Sequence, residues 1–281
     1  MSNFNDKNLY IATIQTNLIK TLFESLSLIV TDVNWIFSEN GMKAIAINPT
    51  KSIGIQVSLT SKGFVNGGIY YCSPGKVHNV GINILMVSSL LKIMKDKNHV
   101  FKLYSNKGSE TINIGIDDAN INSKRNWETS LIECDLNPET SLYEKRFNDK
   151  YDVVMGIPAG YFQKEIKYLE KLGKKINITV QPGKSLILNV ESDKMVNTVG
   201  KNTLVPGSEN GIKFYSFNPE KNIISGTFTL LDLSTVVKCT GLSSTSHIKM
   251  HMSMDQPLMI EYPIGDLGEI KFCIANLNEK L

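Results

Sequence analysis

Apolar and polar positions alternate along most of the chain in short runs. Asn34–Ser38, Met42–Ile47 and Ile53–Leu59 are compact β-rich stretches, with turn signals at Glu39-Asn40-Gly41 and Asn48-Pro49 between them. The same texture returns at Val100–Tyr104, Thr111–Ile116, Ile176–Val180, Ser185–Val190, Ile212–Phe217, His247–Ser253, Leu258–Tyr262 and Glu269–Ile274. Short strands punctuated by Gly, Pro and Asn predict antiparallel sheets.

Four segments carry a helical period instead. In Asn17–Val30 the residues Leu18, Ile19, Leu22, Phe23, Leu26, Ile29 and Val30 share one face, and Lys20, Thr21, Glu24 and Ser27 take the other. Asn83–Met94 starts at an Asn83 N-cap. It is expected to bury Val87, Leu90, Leu91 and Met94 and to expose Ser88, Ser89, Lys92 and Lys95. Ala159–Leu172 follows Pro158, with Phe162, Ile166 and Leu169 inward and Gln163, Lys164, Lys167 and Lys171 outward. Asp232–Thr240 turns Leu233, Val236 and Val237 inward and Lys238 outward.

These helices repeat. The first and third, and the second and fourth, recur at an interval of roughly 145 residues. The lysines at 20 and 164, and at 92 and 238, keep the same offset. The chain therefore reads as two similar halves, 1–133 and 151–281. Between them, Cys134–Lys150 is polar, contains Asn137-Pro138 and lacks a clean period, as an interdomain linker would.

A length of 281 residues suits about two domains. Hydrophobic residues at 42% and charged residues at 20% are an ordinary globular balance. No apolar run approaches the ~18 residues of a membrane span, and Met1–Asn8 has no apolar signal core. Cys72, Cys134, Cys239 and Cys273 stand far apart without a C-x-x-C and read as free thiols.

The chemical motifs fall away one by one. Pro182-Gly183-Lys184-Ser185 resembles a P-loop tail, but Ile178 stands where the motif needs another Gly, so a hairpin turn is expected. His247 and His251 lie on an alternating strand, roughly 13 Å apart, and are expected to face solvent. His78 and His99 have no partner pattern. Asp117-Asp118 reads as a solvated turn in a polar loop. No nucleophile, metal or general-base constellation emerges, so neither an enzyme nor a cofactor is expected.

What stands is the lysine set. A lysine on the polar face of an amphipathic helix is ordinary solvation. Four short helices in two equivalent halves, all turning lysine outward, would instead line one surface that meets phosphates without reading bases. The net charge of +3 says little by itself.

Several ordered segments now resemble one family, the DNA sliding clamps of the proliferating cell nuclear antigen (PCNA) type. Pro257–Ala275 (PLMIEYPIGDLGEIKFCIA) is similar to the family's ending P-L-x-x-E-Y-x-I-x-D-x-G-x-[LI]-x-[FY]-x-[LI]-A. Trp35–Gly41, Ile157–Phe162 and Leu242-Ser243-Ser244 agree in order. The resemblance implies an α+β fold of two clamp domains, each of two β-α-β-β-β units, with helices on the inner face of curved antiparallel sheets. Three chains would close head to tail into a ring on double-stranded DNA. Partners implied are a DNA polymerase and other proteins with PIP-box-like peptides, a clamp loader and the chain itself as a homotrimer, with no membrane. The place of work would be the nucleus, or a cytoplasmic viral factory. The Asn-, Lys- and Ile-rich texture suggests an AT-rich genome, of a protist or a large eukaryotic DNA virus. A monomeric or dimeric processivity factor, or one subunit of a heteromeric ring, would share the fold.

Carried over residue by residue, the resemblance implies DNA contacts at Lys20, Lys92, Lys164, Lys167 and Lys238. Thr21, Ser27, Ser89 and Leu231 stand where the family often has further basic residues. It implies a partner-peptide groove at Ile47, Pro257, Cys273, Ile274 and Ala275, with Leu142, Tyr143 or Phe147 from the linker. Asn276 stands where a proline often follows the alanine. The implied edge strands are Arg125–Ile132, with Trp127 and Leu131 at the subunit contact, and Lys194–Gly200, with Met195, Val196 and Val199. A place for Trp127 in its own domain core remains the alternative.

Overall fold

The computed structural model describes residues 4–94, 99–132, 143–192, 199–207, 211–243 and 247–278. The first half runs β1 (Lys7–Thr13), α1 (Thr16–Ser27), β2 (Asp32–Ser38), β3 (Gly41–Ile47), β4 (Ile53–Thr60), a 3₁₀ turn (Ser61–Phe64), β5 (Gly68–Cys72), β6 (His78–Asn83), α2 (Ile84–Leu91), β7 (His99–Asn106), β8 (Thr111–Asp118) and β9 (Ser123–Ser130). The second half repeats the order. It runs β10 (Val153–Pro158), α3 (Ala159–Leu169), β11 (Lys175–Gln181), β12 (Ser185–Glu191), β13 (Val199–Leu204), β14 (Lys213–Phe217), β15 (Ile224–Thr229), α4 (Leu230–Val236), a 3₁₀ turn (Val237–Leu242), β16 (His247–Met252), β17 (Leu258–Ile264) and β18 (Gly268–Ile274). No described helix is long and apolar enough to cross a membrane.

Two compact units result. One holds Met1–Ala46, Gln56–Asn137 and Ile264–Glu269; the other holds Ile47–Ile55, Pro138–Pro263 and Ile270–Leu281. In the first, β5-β1-β7-β8-β9 form one sheet, and β6, β2 and β3 lie side by side in another. In the second, β13-β12-β11-β15 form one sheet, and β14, β10, β16 and β17 lie side by side. Each of these pairings is antiparallel.

The helices form where the period predicts and end earlier than it predicts. α1 buries Ile19, Leu22, Phe23 and Leu26, with the Phe23 ring 6.0 Å from Trp35. Asn83 caps α2, its side-chain oxygen accepting from the Met86 N–H at 2.8 Å. The buried stripe of α2 is Ile84, Val87, Ser88 and Leu91. Ser88 is thus inside, contrary to the sequence reading, and Leu85 is exposed in its place. The stripe follows the i, i+3, i+4, i+7 geometry, and a small hydroxyl residue fits where α2 packs beside α1. The fourth helix is α only over Leu230–Val236; Lys238 sits on the tighter 3₁₀ turn that follows.

Three further expectations change. His251 is not solvent-facing: its ring stands edge-on to Tyr151 at 5.6 Å, and its Nε2 lies 3.6 Å from Glu261. Asp117 and Asp118 are the last residues of β8, not a loop. They pair with Lys102 and, at 3.4 Å, with His99. The second-half edge strand begins at Val199, and residues 194–198 of the expected range lie outside the described residues.

The hairpin at Pro182-Gly183 forms, with Gly183 at φ +73° and the Lys184 N–H donating to Gln181 O at 2.9 Å. Gly268 has φ +152°, and a Cβ there would stand 2.0 Å from the Ser58 carbonyl oxygen. That gives a physical reason for the glycine in the Asp266-Leu267-Gly268 motif. Cys72, Cys239 and Cys273 are buried and in no disulfide; Cys134 lies outside the described residues.

Candidate nucleic-acid interface and partner groove

In the first unit α1 lies against α2. Lys20, on the exposed flank of α1, is half-buried, and its ammonium donates to the Met94 carbonyl at 3.0 Å. Met94 follows the C-terminal end of α2, where a cation is favoured by the unpaired carbonyls of the last turn. Lys92 is exposed at the C-cap of α2.

In the second unit α3 packs on α4 and on the 3₁₀ turn. Gln163 fixes the contact, donating from Nε2 to the Val237 carbonyl at 2.8 Å. That bond sets Lys164 and Lys167 of α3 in the neighbourhood of Lys238, which adjoins Val237. All three lysines are exposed. Lys92, Lys164, Lys167 and Lys238 make no ion pair among the described residues. Leu231 lies on α4, 70% exposed.

The edge strands carry the other polar features. β9 and β13 are each the last strand of their sheet. Trp127 is half-buried and pairs across β8 with Ile114, a core residue. Its side chain therefore follows the inward face of the sheet at its open edge. Leu131 is half-buried and Val199 is 55% exposed. Met195 and Val196 lie outside the described residues. Asn202 ties β13 to α3, donating to Tyr161 Oη and Glu165 Oε2, both at 2.7 Å. Sequence reading missed this bond, because nothing local links the two segments.

The groove candidates all fall in the second unit. Leu142 lies outside the described residues. A helical turn spans 143–146, and the Tyr143 hydroxyl donates to the Lys51 carbonyl at 2.8 Å. Its ring lies against Gly54, where a Cβ would meet Cδ1 at 2.1 Å. Phe147 is buried, its N–H bonded to the Tyr143 carbonyl. Pro257, Cys273 and Ile274 are buried as well, whereas Ile47 and Ala275 are half-exposed. The buried residues can supply a floor; Ile47, Tyr143 and Ala275 can touch a partner. Met254 and Leu277, 42% and 44% exposed, add apolar surface in this unit that the sequence did not single out.

The turn at 48–53 organises the area. Asn48 Oδ1 accepts from the Ile53 N–H, and Ser52 O accepts from the Ala275 N–H, each at 2.9 Å. Ser52 Oγ donates to Asp232 Oδ1 at 2.9 Å. Asp232 belongs to the capped start of α4, where Thr229 Oγ1 accepts from the Asp232 N–H at 3.2 Å. Asn276, where a proline was expected from the resemblance, is buried. Its side chain accepts from the N–H groups of Thr227 and Asn278 and donates to Gln256 O.

The electrostatic centre of the second unit is Glu261. Burial alone would raise its pKa, but His251, 3.6 Å away, and a hydrogen bond from Lys249 at 2.5 Å overcome that and hold it at about 2. It is a structural carboxylate. Among the described residues no group of three or more His, Cys, Asp or Glu side chains could hold a metal ion.

Comparison with known proteins agrees with this geometry. Residues 9–140 match the family model for the proliferating cell nuclear antigen N-terminal domain, and residues 147–277 match that for its C-terminal domain. The chain is 25% identical over 266 residues to "Probable DNA polymerase sliding clamp 1" of Paramecium bursaria Chlorella virus 1, covering 95% of each chain.

Proposed function

The chain belongs to the proliferating cell nuclear antigen family, and from that premise we propose that it encircles duplex DNA as a homotrimer and docks replication and repair proteins through peptides bound in the second unit. It is a sliding clamp and polymerase processivity factor, and the family performs no catalysis.

The observation that carries the DNA reading is the set of exposed lysines at 92, 164, 167 and 238, which make no ion pair among the described residues, together with Lys20 on α1 of the first unit. Each ammonium gives a modest, salt-screened attraction to phosphates and carries no base readout. Such contacts guide a duplex without gripping it. Retention then comes from topology, since a closed ring leaves only by opening or by reaching an end. A tethered polymerase gains effective concentration at the primer end.

Support for the trimer comes from β9 and β13, two open and unlike edges on the two halves. Pairing one with the other is a heterologous contact, which generates a ring when the rotation closes. Trp127, Leu131 and Val199 sit at those edges, and Met195 and Val196 belong with Val199 by sequence. The segment 134–150 joins the two domains. Ile47, Tyr143 and Ala275 form the accessible part of the peptide groove, with Leu142 beside them in sequence and Phe147, Pro257, Cys273 and Ile274 below. The site of action is wherever the DNA is copied, the nucleus or a cytoplasmic viral factory.

Light scattering tests the assembly: three copies of 31.3 kDa are expected. A polymerase assay tests the mechanism. Loaded clamp should stimulate synthesis on a primed circle and lose that effect when the template is linear and open-ended. A monomer in solution, or equal stimulation on both templates, would reject the ring.

A further inference from the structure

The sheet β5-β1-β7-β8-β9 has a second face that the clamp mechanism does not use. Its strands alternate: Leu9, Ile11, Phe101, Leu103, Ile112 and Ile114 point into the core. Tyr10, Lys102, Tyr104 and Gly115 therefore point the other way. Pairing sets Tyr71, Tyr10 and Tyr104 in one row across three strands. The rings of Tyr10 and Tyr104 are 6.1 Å apart, and Phe4 stacks on Tyr71 at 4.9 Å. Beside this aromatic row lies a hollow of about 340 Å³.

Gly115, in mid-strand, lines the hollow without a side chain, and a Cβ there would stand 3.2 Å from Lys102 Cβ. Its cross-strand neighbours are Lys102 and Asn126. Tyr10 and Tyr104 form one wall. The remaining lining is Lys7, Lys102, Lys124, Arg125, Asn126 and the carboxylate of Asp117; Lys7 pairs with Asp6 at 3.1 Å, and Arg125, opposite Ile116, reaches the hollow from the core side of the edge strand. Lys102 already neutralises Asp117. Lys7 stands over the Tyr104 ring, 5.0 Å from its centroid. Lys124 and Arg125 make no ion pair among the described residues.

We propose that this face binds single-stranded nucleic acid without reading its sequence. Aromatic rings set among lysine and arginine are the combination that holds a single strand: bases lie on the rings and phosphates meet the cations. A duplex, whose bases are already stacked, could use only the cations. An acidic peptide would likewise gain nothing from the tyrosine wall. The assignment stands on the first unit alone and does not depend on ring closure.

The test is fluorescence anisotropy of a labelled 20-mer of deoxythymidine with the full-length protein at several salt concentrations. Lys7→Ala with Lys124→Ala should weaken binding about tenfold and lower the salt slope by about 1.4, the value for two single-strand phosphate contacts. Gly115→Val, which changes no charge, should weaken it comparably by filling the hollow. Photo-crosslinking with bromodeoxyuridine should label peptides containing Tyr10, Tyr71 or Tyr104. Wild-type affinity in both the lysine and the glycine variants would overturn the proposal. So would crosslinks confined to the helices, or polyglutamate competing as well as the oligonucleotide.

Discussion

The Tyr143 hydroxyl donates to the carbonyl of Lys51 at 2.8 Å, and this one bond fastens the end of the 134–150 segment to the turn between β3 and β4. Tyr143→Phe removes about 1 kcal/mol and leaves the Lys51 carbonyl to water. Tryptic cleavage after Lys145 and Arg146 should then quicken about fivefold, read by mass spectrometry of timed digests. Tyr143→Ala, which also vacates the ring's seat on Gly54, should quicken it further.

The five lysines proposed to meet DNA should separate in stability. Lys20→Ala breaks the bond to Met94 and should cost about 1 kcal/mol in urea denaturation. Alanine at Lys92, Lys164, Lys167 or Lys238 should stay within about 0.5 kcal/mol of wild type, because those side chains are exposed. All five substitutions together should leave assembly intact and weaken polymerase stimulation, most at low salt, where the lost contacts are least screened.

Glu261 makes a pH prediction. Its folded pKa of about 2 lies below the ordinary glutamate value of 4.5. The folded state therefore binds its proton less readily than the unfolded chain does. The contribution, of order 3 kcal/mol, is complete above pH 4.5 and lost as pH falls toward 2. The stability gap between wild type and Glu261→Gln, measured by chemical denaturation, should accordingly shrink steadily through that window and hold constant from pH 5 to 7.

Gly268→Ala should be among the most damaging single-methyl changes in the chain. The new Cβ would meet the Ser58 carbonyl at 2.0 Å in a backbone conformation that disfavours side chains. A loss of about 3 kcal/mol or more is expected in thermal unfolding. Gly160→Ala, on α3 with open space around it, serves as the control and should be neutral or stabilising.

The helices were legible because an amphipathic period survives in any context. Leu22, Phe23 and Leu26, or Phe162, Ile166 and Leu169, announce one buried face. Strands that bury one side, such as β11, were equally plain. β9 was not legible from its own residues, since SKRNWETS holds one apolar side chain and an open edge has little to bury. β10 and β15 contain Gly156 and Gly226, which break the β texture. The lysines could be placed on faces, but that Lys20 reaches Met94 is a 74-residue contact that no local pattern encodes. The same holds for Asp117 with Lys102 and for His251 with Glu261, where cross-strand register decides the partner.

The 48–53 turn receives Tyr143 through Lys51, Asp232 through Ser52 Oγ and Ala275 through Ser52 O. It behaves as a junction box wired to three circuits. On the proposed function, a peptide seated beside Tyr143 and a phosphate drawn toward α4 would both pull on the same few atoms. Deuterium uptake at the amides of Ile53 and Ala275 should accordingly respond as one to either visitor.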